Sequence, residues 1–353
     1  TLLPQANSPV IDAGTSSALA TDQRGFSRPI GPLPDLGAVE HQGQFVNTLA
    51  DENNTNPSAL SLREAIANAS NSPAPDNIIT FDPAIFAGPN PTIAFTNGEI
   101  AVPDFSTVHL DASLLSSNVH LDAGSNSRHL SIPVNTTFSA RNLTFLNGVA
   151  NTGGGSVASD GTASFRYCTF QNNRTADAVQ PRSGSGGAID SFGTLLLEDS
   201  TFLSNKTGNG PHGSDGVSDF TYVNAGTPGG DGATSGTGGA VKNSIGSLTV
   251  RRCLFRNNFT GAGGLFRNNF TGAGGNGGIG GAGLTGAYGG DGDSAGSGGA
   301  ISASGNVTIS DSIFEFNHTG RGGSGGSADS SGGPNALTSP GRGGKAGQGG
   351  SGG

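Results

Sequence analysis

The sequence predicts an all-β chain: a right-handed parallel β-helix (solenoid) with one short capping α-helix and glycine-rich insertions on one side. Three observations carry this expectation. A unit reading G-G-A-(I/V), then a turn, then F-x-x-N-x-T occurs four times; apolar residues alternate inside each copy; and Gly supplies 63 of 353 residues beside 19 Phe. A composition of 33% hydrophobic and 12% charged residues cannot fill a thick spherical core. It suits a thin core built by repetition.

The four copies run from Gly154-Gly155-Ser156-Val157 to Phe170 and Asn173, from Gly186-Gly187-Ala188-Ile189 to Phe202 and Asn205, from Gly238-Gly239-Ala240-Val241 to Phe255 and Asn258, and from Gly298-Gly299-Ala300-Ile301 to Phe314 and Asn317. Ser156 is the one departure from the signature. Leu195, Leu197 and Phe202, or Val307, Ile309 and Ile313, follow the period-2 pattern of strands with one buried face. Such a unit cannot bury its inner face alone, so stacking must supply the core. Columns of like residues follow: Phe170, Phe202, Phe255 and Phe314 in one, Cys168, Ser200, Cys253 and Ser312 in another. Two rungs, about 9–10 Å, separate the cysteines. A disulfide needs Cα atoms within about 7 Å, so two free buried thiols are expected.

Ahead of the signature repeats, residues 61–69 (SLREAIANA) form the one convincing helix, with Leu62, Ile66 and Ala69 on one face and Ser58 or Ser61 as its cap. It is placed to cover an open solenoid end. Short strands are expected at 93–96, 99–102, 108–110, 119–121, 129–132 and 142–145, so the β-helix spans 93–320. The spacing from Gly155 to Gly187 is 32 residues, and the next two intervals grow to 52 and 60. The surplus lies in Gly-rich insertions at 208–235 and 261–295, expected to emerge on one side of the solenoid. LFRNNFTGAGG at 254–264 recurs at 265–275, and the second copy, without a G-G-A strand, is expected outside the stack. Residues 321–353 are a Gly/Ser-rich segment.

Residues 46–66 and 76–82, with Leu60-Ser61-Leu62-Arg63-Glu64-Ala65 at their centre, resemble the CSLREA-type N-terminal module of bacterial surface β-helix proteins, with Leu60 where that family carries Cys. The G-G-A-(I/V) and F-x-x-N elements resemble repeats of chlamydial polymorphic outer-membrane protein adhesins. Residues 8–14, 21–29 and 35–40 look like the choice-of-anchor Q segment, which closes the C-terminal end of such a β-helix. The resemblance thus implies a closing segment at 1–43 ahead of an N-terminal cap at 45–92. That permuted order, with no Met in the chain, fits either a window of a longer multi-β-helix protein or a polymer unit whose residues 1–43 complete its neighbour. Head-to-tail contact of that kind does not close and builds filaments.

The chemistry is sparse. A net charge of −9 with 17 basic residues and no basic run leaves no nucleic-acid footprint. No apolar run reaches the ~20 residues of a membrane span. Asp190, Glu198, Asp199, Asp311 and Glu315 are scattered along the rungs; Asp199 and Asp311 share a position held elsewhere by Tyr167 and Arg252, which favours stacked solvated side chains over a catalytic pair. His109, His120 and His129 fall at strand-like places, and neutral, surface-facing rings are favoured over a metal-binding ladder. No metal site is expected beyond weak calcium candidates at Asp231, Asp291 and Asp293, so calcium is the one cofactor the sequence admits. Asn173, Asn205, Asn258 and Asn317 are formal glycosylation sequons, but a stacked turn ladder is the favoured reading, since Asn tolerates left-handed backbone. Gly186, Gly238 and Gly298 read as turn residues.

The expected function is that of an extracellular structural or adhesive protein, not an enzyme: a unit of a head-to-tail filament, or a slice of a giant surface protein. Self-association and cell-surface or matrix carbohydrate are the expected partners. A polysaccharide lyase or hydrolase on the same scaffold is the alternative, and an autotransporter passenger adhesin is a third.

Overall fold

The computed structural model of the chain describes residues 44–54, 59–69, 77–177, 184–211, 235–261 and 297–322, with residue 233 and scattered positions between 8 and 38. Its strands pair in parallel into three long sheets, each adding one strand per coil, as a right-handed parallel β-helix requires. One coil shows the plan. Val157–Ser159 lies in a six-stranded sheet (the GGA sheet), Thr162–Arg166 in an eight-stranded central sheet, and Thr169–Gln171 in a seven-stranded sheet (the Phe sheet). The next three coils repeat it with Ile189–Ser191, Leu195–Glu198 and Thr201–Leu203, then Val241–Asn243, Leu248–Arg251 and Leu254–Arg256, then Ile301–Ala303, Val307–Ser310 and Ile313–Glu315.

Corners between strands are made by single residues in the left-handed region, two columns of them. Asn142, Tyr167, Asp199, Arg252 and Asp311 (φ 50 to 58°) turn the chain from the central sheet to the Phe sheet; Asn147, Asn172, Ser204, Asn257 and Phe316 (φ 53 to 57°) turn it out again. Left-handed geometry costs a non-Gly residue about 1–2 kcal/mol. The stacked sheets on either side hold it there. In each G-G-A signature the two glycines have different work. Gly238 has φ +70°, and Gly239 lies so close to the next coil that a Cβ would stand 2.1 Å from the Gly299 carbonyl oxygen.

The core is one continuous row of inward side chains. Along the central sheet Val108, Phe138, Ala163, Leu195 and Leu248 succeed one another, as do Leu110, Ala140, Phe165, Leu197 and Val250, and all are buried. Alternation stops at each corner, so Ile313 falls on the outward row with Thr169, Thr201 and Leu254, apart from the inward Val307 and Ile309.

Helix α1, Leu62–Asn68, closes the N-terminal end. Ser61 caps it in a reciprocal box with Glu64, and Leu62, Ala65 and Ile66 are buried. Asp51 ties this lid to the coils: it pairs with Arg63 at 2.7 Å and accepts the N–H groups of Thr96 and Asn97. The stack begins earlier than the sequence pattern suggested. Gln44–Val46 and Asn77–Phe81 already belong to the central sheet, and Thr137–Arg141, another strand of that sheet, carries no signature. Of residues 1–43, the described positions bond to one another, Leu36 N–H to Val10 O and Gly14 N–H to Pro34 O.

Candidate functional site

The sequence-predicted residues come together as two internal ladders. Phe145, Phe170, Phe202, Phe255 and Phe314 stack with ring centroids 4.6 to 4.9 Å apart and planes within 5°. Phe145, absent from the pattern because its coil reads F-L-N-G, extends the column by one rung. Beside it, each Asn amide bonds to the next. Asn173 Nδ2 donates to Asn205 Oδ1, Asn205 Nδ2 to Asn258 Oδ1, and Asn258 Nδ2 to Asn317 Oδ1, at 2.9 to 3.0 Å. Each Oδ1 also accepts the main-chain N–H of the preceding Asn. The ladder ends at Gly148, whose N–H donates to Asn173 Oδ1.

This geometry revises the role of left-handed backbone. The positive φ values fall on Asn172, Ser204, Asn257 and Phe316, one residue before each ladder Asn. The ladder exists because the carboxamide offers a donor and an acceptor in one plane, which matches the coil repeat. Asn173, Asn205 and Asn258 are fully buried with both Nδ2 hydrogens of each engaged, so the folded ladder has no place for a glycan on those amides.

The Thr of each N-x-T has its own structural part, which sequence reasoning missed. Thr175 Oγ1 donates to Gly184 O at 2.6 Å and Thr207 Oγ1 to Gly236 O at 3.1 Å, bridging the stems of the segment 176–183 and of the insertion 208–235. These two hydroxyls and that of Thr260 accept from the next coil: Gly208 N–H to Thr175, Gly261 N–H to Thr207, Gly320 N–H to Thr260. Residues 212–232 and 262–296 of the insertions, with Asp231, Asp291 and Asp293 and the second copy at 265–275, lie outside the described residues.

Cys168 and Cys253 are buried free thiols in the column shared with Ser200 and Ser312, whose hydroxyls accept the cysteine N–H groups at 3.1 Å. Burial pushes Cys168 up to about 12 and Cys253 to about 11.

The three histidines do not form one array, and His129 is not on the surface. His109 sits on the central sheet and His120 on the Phe sheet, whereas His129 is sealed inside the coil between Phe95 and Phe145, edge-on to both. Its Nε2 meets Leu121 O at 2.9 Å and its Nδ1 meets Ser156 Oγ at 3.0 Å. Burial drives its pKa down to about 4. That bond also explains why Ser156 replaces the Ala found in the other signatures.

The acidic residues on the rungs are tied to neighbouring coils. Glu198 pairs with Arg166 and Arg252, Asp199 with Arg252, and Glu315 with Arg256. Burial raises Asp190 to about 6, against the opposing pull of Lys242. Among the described residues no group of three or more His, Cys, Asp or Glu side chains could hold a metal ion, and no helix is long and apolar enough to cross a membrane.

Outside the stack, the central sheet carries a half-open trough of about 300 Å³. Ile78, His109, Ser139 and Ser164 form its floor in register on successive coils, and Asp111, Arg141 and Arg166 form one wall. His109 Nδ1 is hydrogen-bonded to Ser139 Oγ, and the Arg141 guanidinium carbon lies over the Tyr167 ring, 5.3 Å from its centroid. Sequence inspection did not bring these residues together because Ile78, His109 and Ser139 come from coils without the signature, and only Ser164 and Arg166 belong to a signature copy.

No family model matches the chain, and no curated protein or solved structure matches it either. What is shown is therefore the architecture: an all-β parallel solenoid with a helical lid, built as a repeat scaffold.

Proposed function

We propose that this chain is a structural element of a secreted or surface-exposed fibre, a β-helical rod that extends head to tail and performs no chemistry on its ligands. The terminal coil carries this reading. Phe255, Leu248 and Val250 are 0, 1 and 0% exposed, while their register partners one coil later, Phe314, Val307 and Ile309, are 43, 44 and 46% exposed. Each column is thus sealed as far as the penultimate rung and bared at the last described one. A bared parallel edge with an apolar face is completed by a further rung.

The occupant in this reading is a second copy. The opposite end is covered by α1, so the two ends differ and end-to-end contact is directional. Residues 1–43, which resemble a closing segment, would reach the bared coil of the preceding copy. Leu36 there is 55% exposed and available for it. Adhesion is the use that fits a rod displayed at a surface.

Sedimentation velocity and negative-stain microscopy of the full chain test the proposal. Concentration-dependent linear oligomers are expected, and Ile309→Lys should abolish them while leaving the circular dichroism spectrum unchanged. A wild-type chain that stays monomeric at the highest soluble concentration would refute filament growth. Release of reducing ends or unsaturated products from polysaccharides would refute the non-catalytic role.

A further inference from the structure

We propose that the outer trough of the central sheet is a binding site for an anionic oligosaccharide. This goes beyond the scaffold role and does not depend on end-to-end growth, since every residue of the site lies on the N-terminal half of one copy.

The trough crosses coils at right angles to the strands, so its polar groups repeat at the strand spacing, about 4.8 Å. Ile78, the hydrogen-bonded His109–Ser139 pair and Ser164 succeed one another along the floor at that repeat, and Asp111, Arg141 and Arg166 present a parallel charged row. A compact anion would use one rung. A chain of pyranose rings, whose own repeat is close to this spacing, can use three.

The charges choose the sign of the ligand. Arg166 is neutralised by Glu198 at 2.9 Å. Arg141 has no ion pair among the described residues; its guanidinium leans over Tyr167, a ring 47% exposed. The cation–π contact holds the guanidinium over that ring and leaves N–H groups for a carboxylate or sulfate, which it can bind in bidentate fashion. The Ser164 hydroxyl has no protein partner among the described residues and faces the same space. Asp111 accepts the Ser113 N–H and has lone pairs left for sugar hydroxyls, so the site recognises hydroxyl-bearing anions over bare ones. The protein's charge of −9 opposes anions at long range, which makes binding here a local, geometric property of the trough.

Titration calorimetry of the full chain with hyaluronan and chondroitin sulfate hexasaccharides provides the test, with neutral chitohexaose as the control. Saturable binding of at least one anionic hexasaccharide is expected, at least tenfold tighter than chitohexaose. Arg141→Gln should weaken it about tenfold, and Ser164→Leu, which fills the floor, should weaken it similarly with no change in charge. Arg256→Gln, a charge removed from another face, should leave it unchanged. Ile309→Lys should bind as wild type does, so loss of filaments and loss of sugar binding are separate results. The proposal is overturned if neither anionic hexasaccharide binds saturably, if Arg256→Gln weakens binding as much as Arg141→Gln, or if a phosphopeptide or short DNA displaces the sugar with higher affinity.

Discussion

Replacing Asn205 with Ala tests the internal ladder where its consequences are largest. Asn205 Oδ1 accepts the Asn173 N–H at 3.1 Å and Asn173 Nδ2 at 3.0 Å; its Nδ2 donates to Phe170 O at 2.9 Å and to Asn258 Oδ1 at 3.0 Å. All four bonds vanish in Asn205→Ala. Asn173 Nδ2 keeps Phe145 O and Asn258 Oδ1 keeps the residue 205 N–H, but the buried Asn173 N–H has no other acceptor among the described residues. Four bonds at a net of about 1 kcal/mol each, with the orphaned N–H adding to them, give about 4–6 kcal/mol. Asn317→Ala at the bared end loses three bonds where water can replace them, and should cost at most about 1.5 kcal/mol. Asn205→Asp turns a donor into an acceptor facing two acceptors, so it should match Asn205→Ala at neutral pH and recover partly on acidification, when the carboxyl regains a proton to donate. Urea unfolding followed by circular dichroism measures the costs, and hydrogen exchange locates them on the coils. Equal costs for Asn205→Ala and Asn317→Ala, or less than about 1.5 kcal/mol for the former, would show that the ladder is incidental to stability.

Three further outcomes follow from the same geometry. Gly239→Ala places a methyl group 2.1 Å from the Gly299 carbonyl oxygen, and separating those coils should cost about 3 kcal/mol, the upper end of overpacking, read as a lowered urea midpoint. Cys168 and Cys253 should resist iodoacetamide in the folded protein at pH 8 and react in urea, since burial raises both thiols far above that pH; mass spectrometry of alkylated peptides decides it. His129 has an ordinary value of 6.5 when unfolded and about 4 when folded, so between these limits the unfolded chain binds the extra proton. Stability should therefore fall by about 3 kcal/mol as pH drops from 6.5 to 4, and His129→Gln should remove that component of the pH slope.

The columns, the helical lid and the free thiols were legible because each is a repeated or strongly amphipathic pattern. Leu195 and Leu197 announce a strand by alternation, and Ser61 with Glu64 announces a helix start by its cap. What the sequence hid depends on position around the coil. His129 looks like its surface neighbours His109 and His120 because a strand pattern does not reveal where a corner falls, and a shift of one residue exchanges inside for outside. Ile313 was misread as inward for the same reason. The trough was invisible because His109, Ser139 and Ser164 are 30 and 25 residues apart, intervals fixed by the irregular loops of the early coils. Thr175, Thr207 and Thr260 stood in plain sight inside a sequon, where a glycosylation reading obscured their hydroxyls.

Those threonines have a consequence for how such a chain can diversify. Because Thr175 and Thr207 clasp the stems of the excursions that follow them, the coil senses the junction and not the length of what hangs from it. Lengthening a connecting segment raises its closure cost only logarithmically, about 0.6 kcal/mol per doubling. Going from the 8 residues between Thr175 and Gly184 to the 28 between Thr207 and Gly236 therefore adds only about 1 kcal/mol. Each clasp marks a cassette boundary, where foreign peptide could be grafted and displayed at a fixed height along the rod without retuning the coils beneath it.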